Sequence, residues 1–426
     1  MRKYLFILAT AAIVAGCTKN DSFREIETPD SAIGFSTYAG KLTRAENNSD
    51  ATNKNNNLEK YNTTFKVWGY KYVNGTESPV MGAVEANSSY SFPGQLVEHQ
   101  DQDNNADPVV NEGWYYTPVR FWDKSATSYS FYAVAPNAPT GASWVWDDTE
   151  KMVSIANFAI TGYNSVTGTP ATSVDATKVL TANLTTEDLM LATDVTNHTT
   201  YTNTPVTLDF NHILSRLNIG VRKATILDDY DVKLNSIKVF NMKSNGSFDE
   251  SLANGTTLSN GTIARWATAP TTPATFTSGV GYEPATALLI TSTETTPSTN
   301  YQYVYEGLAI PQSVAYNQTV EVKDYNGTST DPKHFKLDGT NADANSDPYI
   351  VIDYEIWTTG NDAAKMDGYV YYYNLADVFN GTGTGAIDFC EGWQNTLMIT
   401  LAPAVINFDA DVYEWTTKTG TEVDIE

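Results

Sequence analysis

Residues 349–356 read Tyr349-Ile350-Val351-Ile352-Asp353-Tyr354-Glu355-Ile356. β-Branched and aromatic side chains crowd this stretch, and such residues suit the pleated, half-buried surface of a sheet. Working outward, the same type of pattern recurs at Val206-Thr207-Leu208-Asp209-Phe210, at Tyr129-Ser130-Phe131-Tyr132-Ala133-Val134 and at Thr64-Phe65-Lys66-Val67-Trp68-Gly69-Tyr70. Clusters of Asn, Gly, Pro and Thr bound each run. Long stretches of helical periodicity are almost absent. The best short helical candidates are Thr186–Ala192 and Asn374–Phe379. Many strands joined by turn-rich connections predict an all-β chain of sandwiches.

The N-terminus reads differently. Arg2 and Lys3 are followed by an uncharged apolar run, Tyr4–Ala15. A helix needs about 20 apolar residues to span a bilayer, so this run is short for that role. It suits the apolar region of a signal peptide. It closes on Val14-Ala15-Gly16-Cys17, which resembles the box cut by the lipoprotein signal peptidase, where the thiol carries diacylglycerol. An ordinary signal peptide with a chance cysteine is the plainer alternative. A lipid on Cys17 with more than one acyl chain would anchor the chain stably. No later apolar run approaches spanning length, so the remainder is expected to be soluble.

Composition narrows the function. The chain has 426 residues, 50 Asp and Glu against 26 Lys and Arg, and a formal charge of −24. Nucleic acid is a poor partner for such a surface, because phosphate contacts need clustered Lys and Arg. Two cysteines occur in all, so with Cys17 lipidated Cys390 has no disulfide partner. Stability must come from large cores, which a chain this long can build.

The residues offer little catalytic chemistry. The four histidines, His99, His198, His212 and His334, are not spaced as metal ligands. No G-x-S-x-G elbow, phosphate loop or H-E-x-x-H occurs. Cys390 sits between Phe389 and Trp393 with no nearby His, and reads as a small buried residue. Trp144, Trp146 and the Tyr369–Tyr373 run could stack on sugars, but at a spacing of two they read better as core and cross-strand rings. Asp101, Asp103, Asn105 and Asp107 alternate, with Glu112 at the twelfth position. That is the ligand spacing of a calcium loop. Ala106 stands where the sharp turn wants Gly, and Asp and Asn are common in surface turns. A solvated acidic loop is the preferred reading. A second Asx run, Asn341 to Asp347, has Ile352 at its twelfth position. No cofactor and no enzymatic activity are expected.

The ordered motifs resemble the fimbrillin family, the pilus subunits and adhesins of Bacteroides-like bacteria. They run from the lipobox through Ile33-Gly34-Phe35-Ser36, Leu42-Thr43-Arg44-Ala45, Phe65–Tyr70, Val119-Arg120-Phe121-Trp122-Asp123 and Tyr129–Pro136. Leu208–Leu217 and Gly392-Trp393 follow, so the likeness covers nearly the whole mature chain.

The resemblance implies two transthyretin-like β-sandwich domains in tandem after a lipoprotein signal peptide. Carried onto this sequence, residues 1–16 are the signal peptide. Residues 17–60 are a lipidated tether, a first strand and a cleavable loop. Residues 61–225 form an N-terminal sandwich, and residues 226–426 a C-terminal sandwich with a candidate donor strand in Val405–Glu426. It implies cleavage of Arg44-Ala45 by a trypsin-like protease, with Lys41 as a competing site. The strand carrying Ile33 and Phe35 then leaves, and an extended segment of another subunit refills its groove. Implied partners are other pilus subunits, the protease, a host protein or glycan, and the outer membrane through the lipid. The implied location is the outer membrane and then the cell surface or fimbrium. Asp30-Ser31-Ala32 also matches a short O-glycosylation pattern at Ser31. Two alternatives stay open: a lipid-anchored glycan-binding protein, and an anchor or tip subunit that caps a fibre.

Overall fold

The computed structural model describes residues 32–39, 64–87, 89–101, 112–160, 188–199, 204–253, 263–267, 280–284, 286–294, 301–315, 322–324, 335–337, 348–380, 386–403 and 407–414. Cys17, Ser31, Lys41, Arg44 and Ala45 lie outside them, as do Asp103, Asn105, Asp107, His334 and residues 415–426.

The described chain is nearly all strand. The first eight are β1 (Phe35–Ala39), β2 (Phe65–Val73), β3 (Thr76–Met81), β4 (Val84–Ala86), β5 (Ser89–Ser91), β6 (Gln95–Asp101), β7 (Glu112–Tyr115) and β8 (Ser128–Ala135). Then come β9 (Trp144–Asp147), β10 (Met152–Ala159), β11 (Met190–Ala192), β12 (Val195–His198), β13 (Val206–His212) and β14 (Ser215–Lys223). Next are β15 (Tyr230–Phe240), β16 (Asn245–Asp249), β17 (Trp266–Ala267), β18 (Val280–Tyr282), β19 (Leu288–Ile290), β20 (Gln302–Ala309) and β21 (Gln312–Ala315). The last are β22 (Val322–Asp324), β23 (Phe335–Leu337), β24 (Tyr349–Thr358), β25 (Lys365–Asn374), β26 (Ala386–Phe389), β27 (Trp393–Leu401) and β28 (Asn407–Glu414). One short α-helix, α1 (Leu375–Asn380), follows β25.

The two helical candidates fare differently. Asn374–Phe379 does contain a helix, within α1. In Thr186–Ala192, Met190–Ala192 is strand β11, which pairs with Val134 and Ala135 of β8. Leu189 to Ala192 are all buried, and a short run apolar on every side carries no period to separate helix from strand.

Two compact units emerge. The first comprises described residues within Met1–Tyr38, Leu58–Ala133 and Ala192–Asp209. In it β8, β2, β6 and β7 are successive neighbours, β12 joins β8, β3 joins β2, and β1 lies beside β13. Its core holds Phe65, Val67, Trp68, Tyr70, Val97, Tyr129 and Phe131. Strand β13 alternates strictly, with Val206 and Leu208 buried between exposed Thr207 and Asp209. That is the signature of a strand with one face on the core.

The second unit comprises described residues within Ala39–Asn57, Val134–Leu191 and Phe210–Glu426. One of its sheets runs β20-β14-β27-β28, another β18-β15-β24-β25 with β19 on β15. A single hydrophobic cluster takes Leu217, Ile219 and Val221 with Leu397, Ile399 and Leu401 from the first sheet. From the second it takes Val232, Leu234, Ile237 and Val239 with Ile350, Ile352, Tyr354 and Ile356. This is sheet-on-sheet packing, a β-sandwich core. A further sheet in this unit orders β17-β16-β10-β9. Among the described residues, no helix is long and apolar enough to cross a membrane.

Candidate functional site

The first strand is the element to which the family resemblance assigns a function. Ile33, Phe35 and Thr37 are buried, while Gly34 and Ser36 between them are half-buried. A period of two therefore points three side chains into one trench. The Phe35 ring meets Phe131 edge-on at 5.7 Å, Phe65 at 6.3 Å and Tyr116 at 5.8 Å, tilted. Edge-on aromatic contacts of this kind add to the burial itself.

The backbone of the strand is held on both flanks. On one side Val206 N donates to Gly34 O at 2.8 Å, and the Ser36 and Thr207 hydroxyls lie 3.1 Å apart. On the other, Ile33 N donates to Arg120 O at 2.9 Å, and Ala32 makes an antiparallel bridge to Phe121. The Tyr116 hydroxyl donates to Ile33 O at 2.7 Å and accepts from Arg120 N at 3.2 Å. The slot thus satisfies the two things an extended segment must satisfy on burial, its apolar side chains and its backbone polar groups.

Emptying one position of this trench has a definite cost. Phe35→Ala should destabilise the first unit by about 3–5 kcal/mol, the usual range for a core Phe truncated to Ala. Chemical denaturation of the two proteins side by side would measure it. A loss below about 1 kcal/mol would mean that Phe35 is not a core residue.

The other sequence candidates fall into place one by one. At the acidic loop, Asp101 closes β6 and Glu112 opens β7, and the two are paired across that antiparallel ladder. The other three candidate ligands lie outside the described residues. Among the described residues, no group of three His, Cys, Asp or Glu side chains could hold a metal ion. Excess calcium should leave the melting temperature unchanged, because a site that bound it would stabilise the fold by mass action. Calorimetry with and without calcium checks this. A rise of several degrees that Asp103→Ala removes would establish a calcium loop instead.

Within the aromatic runs Trp144, Tyr369 and Tyr371 are core, and Trp146 and Tyr373 are half-buried. Tyr369 and Tyr371 are buried and stack on Tyr354 with centroids 5.2 and 6.1 Å away. Tyr354 donates its hydroxyl to Ala402 O at 2.6 Å, and its burial holds that hydroxyl well above the usual phenol range. Trp144 is buried, with its indole N–H on Pro136 O at 2.8 Å. Rings engaged in this way do not form an open platform for sugar.

Cys390 is buried, and desolvation pushes its thiol up to about 11, far from the thiolate that chemistry would require. His212 is buried with Nδ1 2.6 Å from Asp188 Oδ2, a structural pairing. His198 stacks on Trp122 at 5.4 Å and His99 packs edge-on to Trp114 at 5.2 Å. Strand β28, inside the candidate donor segment, pairs antiparallel with β27 from Asn407 opposite Thr400 to Glu414 opposite Trp393. The sequence alone does not mark Tyr116 and Arg120 as site residues. The available signal was Pro118, which has no N–H to offer a ladder and so marks an irregularity beside the slot.

No family model and no curated protein matches the chain. Similarity is found among solved structures. A fimbrial protein from Bacteroides vulgatus is 14% identical, with 91% of this chain and 100% of that one covered and a TM-score of 0.47. The C-terminally truncated tip fimbrial protein Mfa3 of Porphyromonas gingivalis is 10% identical, with 83% and 94% covered and a TM-score of 0.32.

Proposed function

We propose that this protein is a structural or adhesive subunit of a cell-surface fibre, made as a lipoprotein and assembled by removal of β1 and strand exchange. The observation that carries the reading is the slot itself. A strand close to the N-terminus fills a core trench with Ile33, Phe35 and Thr37 and is bonded on both flanks. A polar, unpatterned stretch containing Lys41 and Arg44 follows it directly in sequence. Such a stretch is where a protease can bind extended backbone.

Loss of β1 would expose a groove with an apolar floor and unpaired backbone edges. A donated strand satisfies both, which is the logic of β-strand addition. A donor that belongs to the next subunit makes a heterologous contact, and a heterologous contact that does not close a ring builds a fibre. The ordered motifs of the fimbrillin resemblance support the same reading, with the C-terminal stretch Val405–Glu426 as the donor. An outer-membrane anchor at Cys17 and a glycan on Ser31 are further parts of the proposal. The decisive experiment is controlled cleavage at Arg44, which should turn monomers into fibres.

A capping role has one observation in its favour. The tail Thr416–Glu426 carries only Val423 and Ile425 in alternation, which makes a thin donor by itself. Strand β28 would have to leave β27 for a longer donor to form, giving up the whole register from Asn407 to Glu414.

A further inference from the structure

The antiparallel bridge between Ala32 and Phe121 sets Ile33 opposite Arg120. In a hydrogen-bonded antiparallel pair the two residues exchange both N–H···O bonds. Only one of these is made directly here: Ile33 N donates to Arg120 O at 2.9 Å. The return bond is interrupted. Arg120 N donates to the Tyr116 hydroxyl at 3.2 Å, and that hydroxyl donates in turn to Ile33 O at 2.7 Å. A side-chain O–H is thus inserted into a backbone ladder, in the place a bridging water could take. The same side chain lays its ring against Phe35 at 5.8 Å, so it touches the strand twice. Burial pushes the hydroxyl up to about 12, so it keeps its proton and remains a donor in ordinary conditions.

We propose that Tyr116 is the positioning residue of the slot. Its hydroxyl, placed between the Arg120 amide and the Ile33 carbonyl, sets how firmly the slot grips the strand inside it. The contact reads a backbone carbonyl and not a side chain, so it grips whatever strand lies there and leaves the choice of register to the apolar side chains. The ring adds the demand for an apolar residue two places further on, where Phe35 sits. The consequence for assembly rests on the strand-exchange reading above: in a cleaved subunit this bond would retard the loss of β1 and then help hold its replacement.

Residue-resolved amide hydrogen exchange on the uncut full chain tests the grip without assuming exchange of strands. Tyr116→Phe keeps the ring and deletes the O–H. The Ile33 and Arg120 amides should then exchange about five- to tenfold faster, the worth of one buried hydrogen bond. The Phe65 and Phe131 amides should keep their original rates. Unchanged exchange at Ile33 would overturn the proposal. So would an equal acceleration of every amide, which would make Tyr116 a general stabiliser. Tyr116→Leu, which removes ring and hydroxyl together, should open Ile33 at least as much, and a slower rate there would also overturn it. After cleavage in the loop, Tyr116→Phe should release β1 faster than the unaltered chain by a similar factor. If local protection falls in the uncut variant while cleaved protein never exchanges its strand, the grip stands and the strand-exchange reading fails.

Discussion

Limited trypsin treatment of the purified protein should convert monomers into head-to-tail fibres, visible as high-mass material in size-exclusion chromatography and as filaments by electron microscopy. The argument begins with what β1 contributes. Burying Ile33 and Phe35 stabilises the first unit by roughly 3–6 kcal/mol. Each ladder hydrogen bond adds about 1 kcal/mol net. While the loop is intact this strand is tethered beside its own groove, and no second subunit can compete with it at ordinary concentrations. Cutting the loop removes that advantage, and the strand becomes an ordinary dissociable peptide. The trench left behind, lined by Phe65, Tyr116 and Phe131, is then unstable until it is refilled. Arg44→Ala should stay monomeric under the same treatment, with Arg44→Ala plus Lys41→Ala as the control against cutting at the neighbouring site. The donor can be tested at the other end of the chain. Removing Val405–Glu426 would strip β28 from β27 along eight paired positions and so damage the sandwich itself. Removing Thr416–Glu426 spares β28, and should abolish fibres if the tail supplies an essential part of the donor. Cleaved protein that remains monomeric and well folded would rule out strand exchange and advance the capping and surface-binding alternatives.

Cys17→Ala should abolish acylation altogether. On the lipoprotein reading the thiol is the nucleophile that accepts diacylglycerol, and Ala offers none at that position. Two or more acyl chains anchor a protein stably, whereas an unlipidated chain of this acidity has no affinity for an anionic membrane surface. Metabolic labelling with a fatty-acid probe should therefore mark the unaltered protein and leave the variant blank, with the variant released from the membrane fraction. Label persisting on Cys17→Ala would sink the lipoprotein reading.

The strands were legible where the sequence alternates. In Val206–Phe210 the apolar positions are buried and the polar ones exposed. In Tyr349–Ile356 the buried set is Ile350, Ile352, Tyr354 and Ile356. Alternation also marks Ser215–Lys223, but there it misstates the environment. Arg216 and Asn218 occupy the polar face and are nonetheless buried, with Arg216 bonded to Gln394 at 3.1 Å across the parallel pair β14–β27. A strand in the middle of a sheet can bury both faces if its polar groups find partners, and the partner of Arg216 is 178 residues away in sequence. Met190–Ala192 failed in the opposite way, being apolar throughout with no period to read.

The site was half legible. Ile33 and Phe35 stand out because they alternate across Gly34, ahead of a polar stretch, in the pattern of a short strand with one buried face. Tyr116 does not, because a hydroxyl serving as a ladder partner leaves no periodic trace. Its role depends on a bridge between residues 32 and 121 that only the fold creates.

The most direct test of assembly by strand removal is mass spectrometry of the N-termini of chains taken from surface fibres and, separately, from the membrane-bound precursor pool. The account predicts that fibre chains begin at Ala45 and that precursors begin at a lipidated Cys17. Fibre chains that still carry Ile33 and Phe35 would contradict it.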